Sequence, residues 1–450
     1  MKHLPFLEPH FRQISQQEAI ICHHQSYSYQ QLEESIANWQ KELETTGSFE
    51  GKVVAIKSDF TLESVSLFLF LITQNAIIVP ITKDSANLSE RIEISHADFL
   101  FDLSKKEKID ILKFEPTKNE LIEELRNRNH PGIVIFSSGT TGSPKAAIHD
   151  FTFLLEKYNQ PGKAYRSIIF LLFDHWGGIN TLLHILSKGG TACFIDSRDP
   201  DDICHYIQTH KIDLLPATPS FLNLILLKKS FLEYDLSSLK LITYGTEPMP
   251  EFTLKALHEA LPKISLKQTY GLTELGVMKT KSKANDSLWL KLNDENYQIK
   301  IENDILFIKT KSSILGYLNA ASPFDEEGWY NTGDKVICDG DWMKILGRES
   351  DMINVGGQKV FPSEIESFLM ECPIVGDCTV YGEKNPFTGM HVACDIIPSE
   401  DNEWDKNEFR NQIKSFCKNK LEAYKIPVRI NIVDQSNISE RFKKIRKREY

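Results

Sequence analysis

The stretch IVIFSSGTTGSPKAAIHD, Ile133 to Asp150, passes from an apolar run into small hydroxylated residues and then to Lys145 behind a proline. Ile133-Val134-Ile135-Phe136 has the length and branched side chains of a short buried strand, and Gly139 and Gly142 mark where it must end. Ser137, Ser138, Thr140, Thr141 and Ser143 supply hydroxyls, the glycines let main-chain N–H groups turn toward an anion, and Lys145 adds positive charge. That is the chemistry of a phosphate cradle. A Walker loop is excluded, because it ends in Gly-Lys-Ser/Thr and here Ser143 and Pro144 separate Gly142 from Lys145. A polar surface loop after a strand remains the alternative for this stretch taken alone.

Three further stretches carry chemistry. YGLTELG, Tyr270 to Gly276, sets an aromatic face, a hydroxyl and a carboxylate close together, enough to stack on a base, touch a phosphate and hold a metal ion. GWYNTGD, Gly328 to Asp334, ends in an acid suited to the two hydroxyls of a ribose. GRESDMINVGGQKVFPSEIE, Gly347 to Glu366, joins an arginine to a glycine-rich turn and an N-capped helix beginning near Pro362 or Ser363. Each alone reads equally well as a turn; the set in this order does not.

The elements that must position these residues follow from length and pattern. A chain of 450 residues, 41% hydrophobic, is too long for one ordinary core and points to two or three domains. No run reaches the roughly 18 apolar residues of a membrane span; in VSLFLFLITQNAIIVP, Thr73, Gln74 and Asn75 interrupt the longest candidate. MKHLPFLEPHFRQ lacks the apolar core of a signal peptide, so the expected location is the cytoplasm. The eight cysteines lack metal-type spacing and read as reduced packing residues, and the net charge of −10 argues against nucleic-acid binding. Apolar strands alternate with helical patterns through KVVAIKS, a helix around Leu62 to Gln74, AIIVPI and DFLFDL. The alternation resumes at SIIFLLF and continues through LKLITYG, giving an α/β fold with mostly parallel sheets. From about Gln298 the pattern becomes that of a hairpin turning at Glu302-Asn303-Asp304 and a small β subdomain; after Arg348 a last α+β segment begins.

Together these stretches resemble the adenylate-forming superfamily of acyl-CoA synthetases, peptide-synthetase adenylation domains and luciferases. The resemblance implies an N-terminal adenylation domain over 1–347, a hinge at 348–351 and a small mobile C-terminal domain over 352–450. It implies ATP and Mg²⁺, with Ser137, Ser138, Gly139, Thr140, Thr141, Gly142 and Lys145 around the β- and γ-phosphates and Glu274 on the metal. Gly245, Thr246 and Glu247 of TYGTEPMP would border adenine with Tyr270 and Gly271, Thr273 would meet the α-phosphate, and Asp334 and Arg348 would hold the ribose. The implied reaction joins a small carboxylic acid to AMP and then to a thiol, of coenzyme A or of a carrier-protein phosphopantetheine, in a monomer or homodimer.

FLLFDHWGGINTLL, Phe170 to Leu183, matches the family's acyl-pocket segment, with His175 and Gly178 on its His-x-x-Gly pattern. Phe173, His175, Trp176, Gly177 and Asn180, with Gly271, are the candidates for the acid's pocket, and a fatty or aromatic acid is expected. The alternative is an amino-acid-activating enzyme that loads a peptidyl carrier protein, with Asp174 binding the ammonium; an aromatic cluster at a strand-to-helix junction is also ordinary core. Gly356 and Gly357 would line the thiol's approach. The chain departs from the family at Ser350, where the hinge usually has Asp or Lys, and at the tail, where Lys443-Lys444 replaces Gly-Lys. Lys444 is the expected catalytic lysine, Lys443 its rival by one position, and a solvated basic tail the plain alternative.

Overall fold

Thr61 and Ser64 cap the helix Leu62–Thr73 reciprocally: the Ser64 amide donates to Thr61 Oγ1 at 3.1 Å and the Thr61 amide to Ser64 Oγ at 2.9 Å. Every residue from Ser64 to Ile72 is buried, as a helix with no polar face must be. Its one awkward group, Ser66 Oγ, is satisfied by Trp39 Nε1 at 2.9 Å and Ser35 Oγ at 2.8 Å, both on the helix Tyr29–Glu42. The computed structural model describes residues 4, 11, 13–105, 110–137, 143–292, 296–399, 405–439 and 441–446.

One continuous core joins this helix to two seven-stranded sheets. The first runs in the order Ser265–Gln268, Leu241–Tyr244, Leu214–Ala217, Arg166–Ile168, Thr191–Cys193, Glu18–Cys22, Gln25–Ser28, parallel except for the last hairpin. The second runs Gly316–Tyr317, Lys145–Asp150, Gly132–Ser137, Ile77–Ile81, Val53–Lys57, Phe99–Asp102, Asp110–Lys113, parallel in the middle and antiparallel at both edges. The strand before the phosphate loop thus returns directly as Lys145–Asp150, with Ser137 opposite Lys145. Helices Pro200–His210 and Pro219–Lys228 carry proline in the first turn and start from Asp199 and Thr218 as side-chain caps.

A six-stranded antiparallel sheet follows. Its hairpin Tyr297–Glu302/Ile305–Thr310 turns at Asn303 and Asp304, whose φ of 52° and 63° are those of a two-residue turn with both residues left-handed. The last unit has its own core, with helices Pro362–Leu369 and Lys406–Cys417 against a five-stranded sheet. The expected cap of the first of these helices is absent: it begins at Pro362 after Phe361, no side chain caps it, and Ser363 Oγ instead donates to the Leu346 carbonyl at 2.8 Å. All eight cysteines are free thiols, and only Cys338 is exposed.

The chain's end folds back onto the first domain. Ile438 bridges to Lys444, and the Ile445 amide donates to the Asn437 carbonyl at 2.9 Å. At the tip Phe442, with φ 52°, sets its ring edge-on against Phe170 at 5.6 Å and Phe221 at 5.7 Å. Removing that ring is expected to weaken docking by roughly 1–3 kcal/mol. In Phe442→Ala, hydrogen exchange at the Lys444 and Ile445 amides should accelerate about tenfold or more while the amides of helix Leu62–Thr73 stay protected; unchanged exchange at 444 and 445 would mean that the aromatic contact does not hold the tail.

Candidate active site

Strands Tyr330–Asp339 and Trp342–Arg348 pair so that Asp334 stands directly opposite Arg348, whose Nε lies 3.4 Å from Asp334 Oδ1. From a neighbouring hairpin, Tyr270 donates its hydroxyl to Asp334 Oδ2 at 2.5 Å. Burial pushes the Asp334 carboxyl above its ordinary range, while Arg348 and the Tyr270 hydroxyl pull it back. The sequence divides these residues between base and ribose; the structure joins them in one cluster, with Tyr270 and Asp334 buried and Arg348 half exposed.

Glu274 lies in the turn of the hairpin Tyr270–Leu272/Gly276–Met278 and is buried. The Tyr317 hydroxyl donates to its Oε1 at 2.5 Å, and burial, with Glu274 nearby, raises the pKa of Tyr330 above its ordinary value. Lys145 Nζ sits 5.3 Å from the centre of the Tyr317 ring, so the lysine that follows the phosphate loop and the carboxylate meet across one phenol. Thr273 anchors the turn through its carbonyl, 2.7 Å from His149 Nε2. Gly271 has no room for a side chain: a Cβ would lie 2.8 Å from the Gly276 carbonyl oxygen. Ser138, Gly139, Thr140, Thr141 and Gly142 lie outside the described residues.

The segment Gly245-Thr246-Glu247 follows the strand Leu241–Tyr244. A Cβ on Gly245 would meet Thr269 Oγ1 at 2.5 Å, and Thr246 is held at φ 75°. Glu247 accepts main-chain amides from two elements, Ser220 at 2.8 Å and Lys444 at 3.3 Å, which ties this loop to the docked tail.

In the acid segment, Phe173 is core, edge-on to Phe60 at 5.2 Å and Phe68 at 6.3 Å. His175 caps the helix Trp176–Ser187, its Nδ1 accepting from the Gly177 amide at 3.0 Å. Burial, reinforced by Lys443 and Arg441, drives the His175 imidazole well below its ordinary pKa, so it is neutral. A Cβ on Gly177 would lie 2.4 Å from Leu171 Cδ1. Trp176 stacks on His149 at 5.4 Å. Asn180 Oδ1 accepts from Lys157 Nζ at 2.6 Å and the Tyr158 hydroxyl at 3.0 Å. Asp174 is committed to two guanidinium groups, Arg91 at 3.2 Å and Arg441 of the tail at 3.0 Å.

The two tail lysines point to opposite sides. Lys444 Nζ is 5% exposed and bonds Asp377 Oδ1 at 2.9 Å and the Cys378 carbonyl. Burial would discharge it, but Asp377 and Glu366 hold it protonated above the ordinary lysine range. Lys443 faces the first domain, within electrostatic range of His175, Glu247 and Arg348, and burial together with Arg441 lowers its pKa to about 8. Gly356 and Gly357, at φ 59° and 90°, form the turn between Ile353–Val355 and Gln358–Val360 and bond only within the C-terminal unit, to Thr388 and Asn354.

The sequence profile of the AMP-binding enzymes matches residues 7–294, and that of the AMP-binding enzyme C-terminal domain matches 364–443. The chain belongs to the AMP-binding enzyme family. An indoleacetate–CoA ligase of Aromatoleum aromaticum is 26% identical over 68% of this chain and 64% of its own length, so the chain spans less than two thirds of that relative. A 2-succinylbenzoate–CoA ligase of Bacillus cereus is 24% identical over 91% of the chain and 90% of its own length. The fold is that of an anthranilate CoA ligase solved with anthranoyl-AMP, with TM-score 0.80 at 20% identity over 98% of this chain and 95% of the other. An o-succinylbenzoate CoA synthetase from Bacillus subtilis, solved with its acyl-adenylate, has TM-score 0.76 at 20% identity over 98% and 96%.

In this AMP-binding enzyme the sequence reading passes over Tyr317, Tyr330, Arg91 and Arg441. Tyr330 had a signal, since residues 330, 332 and 334 share one face of a strand and the last was already singled out. Tyr317 and the arginines had none, because only the fold brings them to Glu274 and Asp174. Gly276, with φ 78°, closes the Trp176 side: a Cβ there would lie 2.6 Å from Trp176 Nε1. Gly276→Ala is expected to cost about 1–3 kcal/mol through backbone strain and displacement of the indole. Thermal unfolding and tryptophan emission should both shift; an unaltered pair would show that neither the turn nor the indole is constrained.

Proposed function

We propose that the protein joins an aromatic carboxylic acid to coenzyme A through an acyl-adenylate, with cleavage of ATP to AMP and pyrophosphate. The observation that carries this reading is the continuous arc from Lys145 through Tyr317, Glu274 and Tyr330 to the Arg348–Asp334–Tyr270 cluster, with Lys443 and His175 facing its far end. An arc with cations at both ends, and with Glu274 between them as its carboxylate not paired to an arginine, suits a polyphosphate that carries a divalent ion. The names of the relatives support coenzyme A as acceptor and an aryl acid as substrate.

The acid arrives ionised and needs placement, not a base. Its oxygen bonds to the α-phosphorus as the bond to the pyrophosphate oxygen breaks, and positive groups stabilise the charge that spreads onto phosphate. Lys145 meets the departing end, and Lys443 meets the end where carboxylate and α-phosphate share charge. Glu274 would hold Mg²⁺, and one carboxylate fits an ion that takes its other ligands from phosphates and water. Bound there, the ion supplies charge neutralisation to the polyphosphate. In the second step the thiol sulfur bonds to the acyl carbon, its proton leaves and AMP departs. Neutral His175, at the acid segment, lies on the acyl side of that exchange. Residues 348–351 serve as the hinge, and Gly356 and Gly357 line the thiol's approach in the alternate arrangement. The amino-acid reading loses its anchor, because Asp174 is already neutralised by Arg91 and Arg441.

The direct test is pyrophosphate release with ATP and Mg²⁺ across aryl, fatty and amino acids, with coenzyme A and a holo carrier protein as acceptors. Aryl acids with coenzyme A are expected to give AMP, pyrophosphate and thioester together; no acid-dependent pyrophosphate release would end the ligase reading.

The lysines separate cleanly. Lys443→Ala should slow adenylation on the order of 10²- to 10³-fold while sparing thioester formation from pre-made acyl-adenylate. Lys444→Ala strands buried Asp377 and should instead lower stability by roughly 3–5 kcal/mol. A lysine with a lowered pKa loses its proton early, so kcat/KM for adenylation should fall as pH rises through about 8. Lys443→Arg should remove that fall. If Lys444→Ala alone abolishes adenylation in a fully folded protein, the assignment passes to Lys444.

A further inference from the structure

Around the start of the acid segment, cations outnumber carboxylates. Arg91, Arg441 and Arg198 approach it from three elements, and only Asp174 answers them, pairing with the first two. Arg198, in the loop after the strand Thr191–Cys193, is partly buried and donates Nε to the Phe170 carbonyl at 2.8 Å, with its guanidinium 5.7 Å from the centre of the Phe170 ring. Among the described residues no carboxylate pairs with it: Asp59 acts on it only at a distance and is itself bound to Lys83 at 2.9 Å. Arg198 and Arg441 line one cleft together with Phe170, Leu171, His175 and Phe442. A partly buried guanidinium with no carboxylate beside it, set next to a second guanidinium and a neutral imidazole, gives the cleft a positive field that suits an anion.

We infer that this cleft binds a second carboxylate of the acid substrate, with Arg198 as its principal partner, so that the enzyme selects dicarboxylic acids over monocarboxylic acids of the same shape. The selection rests on the ligase reading above. The reacting carboxylate has a partner of its own in Lys443, and Lys145 stands at the phosphate end, which leaves Arg198 for a further negative group. The aromatic walls Phe170 and Phe442 suit the hydrocarbon that links the two carboxylates. Arg198 forms a fork that a carboxylate can take with both oxygens, whereas an ester or a hydrogen at that place brings no charge to it.

The test is selectivity, measured as the ratio of kcat/KM for matched acids: 2-succinylbenzoate against 4-oxo-4-phenylbutanoate, and adipate against its monomethyl ester. The wild type is expected to favour the dicarboxylate in at least one pair. Arg198→Gln should collapse that ratio on the order of 10- to 100-fold, and Arg198→Lys should restore part of it. A preference of the wild type for the monocarboxylate in both pairs, or equal losses on both members in Arg198→Gln, would overturn the inference; a rise in KM for ATP alone would give Arg198 to phosphate. Should no acid support pyrophosphate release, ligand-induced thermal stabilisation decides instead. A shift with the dicarboxylate in the wild type but not in Arg198→Gln upholds the second-carboxylate site while the ligase reading falls, and no shift in either sinks both.

Discussion

A lysine ammonium that is 5% exposed needs a carboxylate, and Lys444 finds Asp377 at 2.9 Å. Asp377 is equally buried and also takes Asn223 Nδ2 at 3.0 Å, from the helix Pro219–Lys228 of the first domain, and the hydroxyl of Ser436. Neither charge could stay where it is without the other, since a buried ion stripped of its partner is strongly destabilising. The pair therefore fixes the tail's direction. With Lys444 turned inward against the C-terminal sheet, its neighbour must face the opposite way, and Lys443 is carried toward His175, Glu247 and Arg348. Arg441 and Phe442 follow into the acid segment, so one ion pair in the small unit decides which residues line the site of the large one.

The sequence reads well where structure is local. Alternating apolar runs, the helix around Leu62 to Gln74 and the Glu302-Asn303-Asp304 turn all depend on residues a few positions apart, and all appear as expected, whereas the cap expected near Pro362 does not. It reads the fold class for the same reason, since strand and helix periods repeat along much of the chain. It fails where side chains meet across elements. Nothing near Tyr317 says that its hydroxyl will reach Glu274, and nothing near Asp174 says that its charge will be spent on Arg91 and Arg441. Phe173 is the opposite case: its plain reading as core is the one the packing bears out. The difference between Lys443 and Lys444 is of the same kind as those at Tyr317 and Asp174, because what sets Lys444 apart is its contact with Asp377, a residue far away in sequence.

Buried phenols do for this site what water does for an open one. Tyr270 and Tyr317 each donate to a carboxylate at 2.5 Å, and burial raises both hydroxyls above their ordinary pKa, which keeps them donors across the working pH range. Glu274 stays hydrogen-bonded with no cation paired to it among the described residues, whereas Asp334 has Arg348 as well as its phenol. A group that took over one of these carboxylate oxygens would have a neutral donor to displace or share, which costs less than separating an ion pair.

The same comparison bears on the swing proposed for the C-terminal unit. Lys444–Asp377 and Arg446–Glu366 lie inside that unit and travel with it. What must part includes Arg441 from Asp174, Phe442 from Phe170 and Phe221, the Lys444 amide from Glu247, Asn223 from Asp377, the Phe252 amide from Ser367, Ser363 from the Leu346 carbonyl, and the Phe252 ring from the C-terminal core. Arg441 is about a quarter exposed, and Asp174 retains Arg91 when it leaves, so no buried charge is abandoned. One ion pair, four further hydrogen bonds and the packing of Phe442 and Phe252 come to roughly several kcal/mol, offset in part by hydration of the freed groups. That is the scale of an equilibrium that ligands can move, since a preference of about 5.5 kcal/mol suffices to invert a two-state population. The buried pairs Lys444–Asp377 and Arg446–Glu366 are confined within the C-terminal unit and individually weaker contacts span the joint, as the proposed swing would require.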